Sequence, residues 1–321
     1  MATSTSRSVF AAIDVGTNAA RLELARFGAN GALETFLKER DAIRPGEGVF
    51  THGVMPRETA DRLVGTLRRY ASLCRRHDAR VRAVATSAMR EAGNRMEILQ
   101  RVRTETGLDL EVISGQEEAR LICQGVLNRV PPRTRSMVMD LGGGSTEVVL
   151  ATGQRPDALW SLPLGAVRLT ELFDTVGEVK PTRLRQVRGF VEERLSTAFP
   201  CSLEDSPRVA LGSSGTIRAV VRFAAGGDSH ATLGQLSCAV EVLAGMSPAQ
   251  RREHFEPRRA DIIVAGAILL EQSARHLGLE GITAVKRGLR DGLLAELSSS
   301  HRNAAPLPSP CPAFLETLAV G

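Results

Sequence analysis

Two short turns of the same make constrain this chain more than any other feature. Asp14-Val-Gly-Thr-Asn and Asp140-Leu-Gly-Gly-Gly-Ser-Thr-Glu each follow an apolar strand-like run and lead into another strand. Glycines at Gly16 and at Gly142, Gly143 and Gly144 let backbone N–H groups converge on an anion. Thr17, Asn18, Ser145 and Thr146 add polar side chains to the same loops. A single turn of this kind reads as an ordinary hairpin with Asp and Gly at its corner. Two of them, one in each half of the chain, read as a pair of phosphate-gripping loops. An aspartate there repels phosphate unless a hard divalent cation such as Mg2+ bridges the two.

The segments around these turns repeat an order. Residues 9–14, 20–26 and 34–40 predict a three-strand meander. Leu63, Leu67, Tyr70 and Leu73 at helical spacing predict a helix over 56–77. A strand at 82–85, a helix near 94–106, a strand at 110–113 and a helix over 117–127 complete a βββαβαβα run. After the Pro-Pro-Arg-Thr-Arg segment at 131–135 the pattern restarts, with strands at 136–140, 147–151 and 158–162. Helices follow at 181–199, 216–224 and 258–276, with strands at 208–211 and 283–285. The expected fold is α/β: two ribonuclease-H-like lobes, residues 1–130 and 131–300, with a cleft between them. Residues 301–321 turn to Pro, Ala and Ser and read as a poorly ordered tail.

Composition narrows the function. The only tryptophan and tyrosine are Trp160 and Tyr70, too few stacking platforms for single-stranded nucleic acid. The five cysteines and six histidines show no metal-ligand spacing, which argues against zinc. Such cysteines are expected as small buried hydrophobes in a reducing compartment. The apolar run at 9–13 is too short for a signal-peptide core, and no stretch approaches a membrane span, so a cytoplasmic protein is expected. The net charge of +5 rests on arginine, with Lys38, Lys180 and Lys286 the only lysines. Arginine pairs with phosphate through two parallel hydrogen bonds, but solvated arginines explain the charge as well.

Two further segments carry candidate chemistry. Gly212-Ser213-Ser214-Gly-Thr is a third glycine-rich turn, between a strand and a helix, where amides point at an anion. With the two Asp-x-Gly loops it resembles the motif set of the actin, sugar-kinase and chaperone-ATPase superfamily. In Ile113-Ser-Gly-Gln-Glu-Glu-Ala-Arg-Leu-Ile, Glu117 and Glu118 start a helix, where carboxylates favour the dipole. A functional role requires one of them to face the cleft and accept a proton from water.

At this level the chain resembles the exopolyphosphatase/guanosine pentaphosphate phosphohydrolase (Ppx/GppA) family. The segments named so far are joined by Ala85-Thr-Ser-Ala-Met-Arg-Glu-Ala, Leu162-Pro-Leu-Gly-Ala-Val-Arg-Leu, Leu211-Gly-Ser-Ser-Gly-Thr-Ile, Pro257-Arg-Arg-Ala-Asp and Gly288-Leu-Arg-Asp-Gly, in the family's order over residues 8–298. The resemblance implies that Glu118 is the catalytic base, Arg90 a phosphate ligand, and Asp140 and Glu147 the carboxylates that handle Mg2+ (or Mn2+) and position water. Asp14, from the first loop, reaches the same ion. Arg44, in Arg-Pro-Gly-Glu-Gly, matches a further phosphate contact. The implied activity is removal of terminal phosphates from polyphosphate or guanosine pentaphosphate, by a homodimer with neither nucleic acid nor membrane as partner.

The chain departs from the family pattern twice. Ala19 replaces the usual serine after the first-loop Asn, removing one hydroxyl near the phosphates. Longer members continue into helical domains, so ending at Gly321 implies the short two-domain form, in which the benefit of longer polyphosphate saturates early. A kinase and a non-catalytic polyphosphate or alarmone sensor are the rival readings. The first needs an adenosine pocket; the second sits poorly with intact Glu118, Asp140 and Glu147.

Overall fold

The strand β1 (Val9–Val15) is apolar almost without a break, Val-Phe-Ala-Ala-Ile-Asp-Val, and six of its seven residues are buried. A strand apolar on both faces must be covered on both, and that requirement sets the layering. The computed structural model describes residues 8–199, 207 and 209–304. In its first half β1, β2 (Ala20–Phe27) and β3 (Leu33–Asp41) form the meander, followed by α1 (Val49–His52), α2 (Arg57–Arg76) and β4 (Ala79–Ala85). Then come α3 (Ser87–Glu91), α4 (Arg95–Thr106), β5 (Leu110–Val112) and α5 (Gly115–Leu127). The second half runs β6 (Arg135–Leu141), β7 (Thr146–Thr152), β8 (Arg155–Leu162), α6 (Ala166–Phe173), α7 (Pro181–Ala198), β9 (Val209–Gly212) and α8 (Gly215–Ala224). It ends with β10 (His230–Thr232), α9 (Leu233–Gly245), α10 (Pro248–His254), α11 (Pro257–Ala260), α12 (Ile263–His276), β11 (Gly281–Ala284) and α13 (Leu289–Ala304).

The sheets are β3-β2-β1-β4-β5 and β10-β11-β9-β6-β7-β8. Read from β8, the second repeats the order of the first, with β10 added at the far edge. Each lobe is therefore ribonuclease-H-like, as the strand pattern predicted. The repeat extends to single residues: Asp14 pairs across the hairpin with Arg21, and Asp140 with Glu147. The turns match as well, Gly16 N donating to Ala19 O at 3.1 Å and Gly142 N to Ser145 O at 2.9 Å.

Helix α2 covers one face of the first sheet, packing Leu63, Leu67 and Tyr70 with Ile13 and Leu22. On the other face Leu121 of α5 and Leu293 of α13 pack with Phe10 and Val84. The opposite side of α5, Ile122 and Val126, packs with Val138 and Val149 of the second sheet. Thus α5 and α13 lie between the two sheets. They approach to backbone contact, because a Cβ on Gly125 would meet Gly288 O at 2.1 Å and one on Gly292 would meet Leu121 O at 2.1 Å.

Three boundaries differ from expectation. The closing helix α13 packs on the first sheet, so the second lobe does not extend to residue 300 as a packing unit. That helix also runs to Ala304, with His301 bonded to Ser8 at 2.9 Å, so residues 301–304 belong to it and not to the expected tail; residues 305–321 lie outside the described residues. The helix expected over 258–276 is two, α11 and α12, and the break presents Asp261 to Arg44 and Arg252. Arg208, the expected start of β9, lies outside the described residues. Among the described residues no helix is long and apolar enough to cross a membrane.

Candidate active site

The two Asp-x-Gly loops face each other because each is the turn of a matched hairpin at the same end of its sheet. They are in close contact: a Cβ on Gly143 would sit 2.8 Å from Thr17 Cβ, and one on Gly144 2.5 Å from Ser87 Oγ. Glycine at these positions is therefore a condition of closing one lobe on the other. The cavity they enclose is lined by Asp14 and Gly16–Ala19 from one lobe and Asp140–Ser145 from the other. Ser213 and Ser214 of the third turn and Glu118 of α5 complete this wall.

Asp14, Glu118 and Asp140 line this cavity and lie close together; Glu147 is near Glu118 and Asp140 but not on the cavity wall. Glu118 is held at the start of α5, where Ser114 caps the helix by accepting from Glu117 N. It accepts from Arg90 Nη1 at 2.8 Å. Burial pushes its pKa up to about 7, against the pull of Arg90. Asp140 accepts from Ser213 Oγ at 2.6 Å, and burial with the nearby Asp14 raises it to about 6. Glu147 is 1% exposed; burial, then Glu118 and Asp140, hold it well above the usual carboxylate range. Its Oε1 accepts from Ser161 Oγ at 2.8 Å, while Oε2 has no hydrogen-bond partner among the described residues. Asn18 Oδ1 is a second buried oxygen in that condition.

Basic groups line the same cavity: Arg21, Arg218, Arg259, Arg287 and Arg290, with Lys286. Arg21 and Arg290 reach Asp14 at 3.4 and 3.3 Å, and Arg290 also bonds Glu23 at 2.9 Å. Arg259 is depressed to about 10 by burial and by its neighbours Arg40 and Arg21. Burial, with Arg290 close by, also lowers Arg218. Mutually repelling cations of this kind are stabilised by a bound anion. The hairpin repeat contributes to this mix of charge: where the second lobe has Glu147 opposite Asp140, the first has Arg21 opposite Asp14.

The sequence-derived site is largely brought together, with exceptions. Thr146 Oγ1 donates to Leu164 O at 2.7 Å, below the loop. Gly212 is packed between Ile217 and Ile282. Neither is on the cavity wall. Arg44 is also elsewhere: it pairs with Asp261 at 2.5 Å, tying one lobe to the other. Arg90 reaches Glu118 and, at 3.4 Å, Ser145 Oγ, but its guanidinium lines an adjoining cavity. The five arginines on the cavity wall carry no assignment from the sequence. Arg259 and Arg290 sit inside the Pro257-Arg-Arg-Ala-Asp and Gly288-Leu-Arg-Asp-Gly segments, which was the available signal.

The carboxylates fit a divalent cation only in part. Among the described residues no group of three His, Cys, Asp or Glu side chains forms a ready cage, so Asp14, Asp140 and Glu147 do not combine into one. The unpartnered Glu147 oxygen and the raised pKa of Asp140 nevertheless mark uncompensated negative charge. Mg2+ characteristically takes one or two carboxylates and completes its shell with water and phosphate oxygens, which suits an ion arriving with a phosphorylated ligand.

Comparison with known proteins agrees with this geometry. The model of the Ppx/GppA phosphatase family matches residues 26–301. Exopolyphosphatase 1 of Mycobacterium leprae is 31% identical over 308 residues, covering 92% of this chain and 91% of its own. The Aquifex aeolicus PPX-GPPA enzyme superposes with a TM-score of 0.74 at 28% identity, over 90% of this chain and 99% of that one. An exopolyphosphatase from Cytophaga hutchinsonii gives 0.83 at 25%, over 91% and 98%. A family model that matches residues 26–301, with a relative 31% identical over 92% of the chain, makes this chain a member of the Ppx/GppA phosphatase family.

Proposed function

We propose that this protein hydrolyses terminal phosphates from inorganic polyphosphate. The carrying observation is one cavity that brings the carboxyls of Asp14, Glu118 and Asp140 together with five arginines and a lysine. In this reading the terminal phosphate of a polyanion lies beside Glu118 and Asp140, and the following phosphates lie on the arginines. The exopolyphosphatase names of the relatives favour the same substrate.

Glu118 orients a water and takes its proton as the oxygen attacks the terminal phosphorus. A carboxylate raised to about 7 is suited to this, since a base works best near the ambient pH. Arg90 fixes the Glu118 carboxylate and brings positive charge beside it. Amides of the two loops and the Ser145 hydroxyl lie where donors meet phosphoryl oxygens. Asp140 and Glu147, with Asp14 nearby, would anchor a Mg2+ or Mn2+ ion arriving with the substrate, and the ion would neutralise charge on the phosphoryl group. The departing phosphate is a stable anion, so no general acid is needed.

The pH dependence follows in sign. Glu118 acts only when deprotonated, so kcat/KM falls as pH drops, with a midpoint near the value of about 7. Measured from pH 8 to pH 6, kcat/KM decreases, by up to about tenfold for a single base. A profile flat across that range removes Glu118 from the role. Substrate identity is tested by phosphate release from polyphosphates of several lengths, guanosine pentaphosphate and ATP, with Mg2+ and with excess EDTA. Release from polyphosphate that EDTA abolishes is expected. A preference for guanosine pentaphosphate replaces the substrate, and full activity in EDTA removes the metal.

A further inference from the structure

A second cavity adjoins the first. Arg90, Ser145, Ser161 and Trp160 line it, and its outer residues Glu91, Ser114, Gln116 and Pro163 are exposed. Ser145 belongs to both cavities. Arg90 lines the second while bonding Glu118, which lines the first. Ser161, on the wall of the second, holds buried Glu147 at 2.8 Å. The catalytic carboxylates and Arg90 are therefore a partition between two spaces. A contact of 3.4 Å from Arg90 Nη2 to Ser145 Oγ crosses it, long for a hydrogen bond and breakable by a change of rotamer.

We infer that cleaved orthophosphate leaves through this second cavity, past Arg90 and Ser145, while the shortened chain stays on the arginines of the first. The inference rests on the phosphoanhydride-hydrolase reading above. A substrate lying along Arg21, Arg218, Arg259 and Arg290 fills the first cavity, so its detached end lies between the remaining chain and the partition. Leaving by the front requires the chain to withdraw first. Leaving by the back does not, and the field favours it. Five arginines and a lysine line the front, whereas Arg90 is the one cation among the described residues lining the back, with Glu91 beside it. Anion affinity thus falls outward along the exit, and the new chain end and the carboxylates repel the product in that direction.

The test narrows the back cavity with Gln116→Phe at its exposed rim and, separately, with Leu159→Phe on its half-buried wall. Acid quench measures phosphate cleaved and a fluorescent phosphate sensor measures phosphate released, in the same pre-steady-state turnover of polyphosphate. Cleavage is expected within about twofold of the parent and release slowed at least about fivefold, giving a burst of cleaved but retained phosphate. Release that keeps step with cleavage in both variants overturns the inference. Should the parent cleave neither polyphosphate nor guanosine pentaphosphate, the hydrolase reading fails separately. Titration with inorganic phosphate, followed by the fluorescence of Trp160, then decides. A saturable change lost in Arg90→Met supports a phosphate path there; no change, or one that survives in that variant, overturns it.

Discussion

Glu118→Gln is expected to lower kcat by about 10²–10⁴-fold with the fold intact, the range a general base contributes. The glutamine amide is nearly isosteric and keeps an oxygen for Arg90 Nη1, now at 2.8 Å from the carboxylate. It cannot accept the proton. Removing the charge also frees Arg90 from its ion pair, so phosphate binding does not weaken and KM stays level or falls. A drop in kcat without a rise in KM separates loss of a base from general damage to the site. Glu117→Gln is the control, because Glu117 points away, to Arg120 at 2.7 Å and Arg82 at 3.4 Å. Losing those partly exposed pairs costs stability of ~0.2–1 kcal/mol and leaves turnover within about twofold. A Glu118→Gln enzyme that retained near-normal phosphate release would end the assignment.

The contrast between adjacent glutamates shows what was legible in the sequence. That a helix began near residues 117–118 was readable from the Ser-Gly-Gln-Glu-Glu run. Which of the two faces the cleft depends on the rotation of α5 between the sheets, and that is set by packing: Leu121 to one side, Ile122 to the other. The resemblance to the family supplied the choice. The loops were legible for a different reason. An Asp-x-Gly turn is a local object, so Asp14, Gly16, Thr17, Asp140 and Gly142–Ser145 could be read without knowing what lay opposite. The basic lining could not. Arg21, Arg218, Arg259, Arg287 and Arg290 come from four separate segments, in a chain where arginine is common enough that none stands out.

Some of what was missed had left a mark. Helices α9 and α10 open with capping boxes, Thr232 with Gln235 and Ser247 with Gln250, a pattern visible in the sequence alone. A closing helix after the Gly288 segment was expected, but its packing place had no such mark. Its return to the first sheet depends on the close backbone approach at Gly125 and Gly292.

Glu147→Gln is expected to act with opposite sign on stability and activity. Among the described residues Glu147 Oε2 has no partner, and burial together with Glu118 and Asp140 raises the pKa well above the ordinary value. The folded chain therefore retains a proton here at pH values where the unfolded chain has released it. Wherever the native state binds the extra proton, stability falls as pH rises, from the ordinary carboxylate range upward through the folded value. Glutamine is neutral throughout and escapes that loss, while its oxygen can still accept from Ser161, at 2.8 Å from the carboxylate. In EDTA at pH 8, Tm is expected to rise by ~2–4 °C, corresponding to about 1 kcal/mol, with the gain shrinking toward pH 5. On the proposed metal role turnover moves the other way, because the variant loses the charge that would anchor Mg2+ or Mn2+. Phosphate release should fall by at least about tenfold at moderate Mg2+, recovering in part when Mg2+ is raised. Thermal unfolding at two pH values and a Mg2+ titration of activity make the comparison. A lower Tm at pH 8 would show that the carboxylate is satisfied in the apo protein, and unchanged turnover at every Mg2+ concentration would remove Glu147 from the metal site.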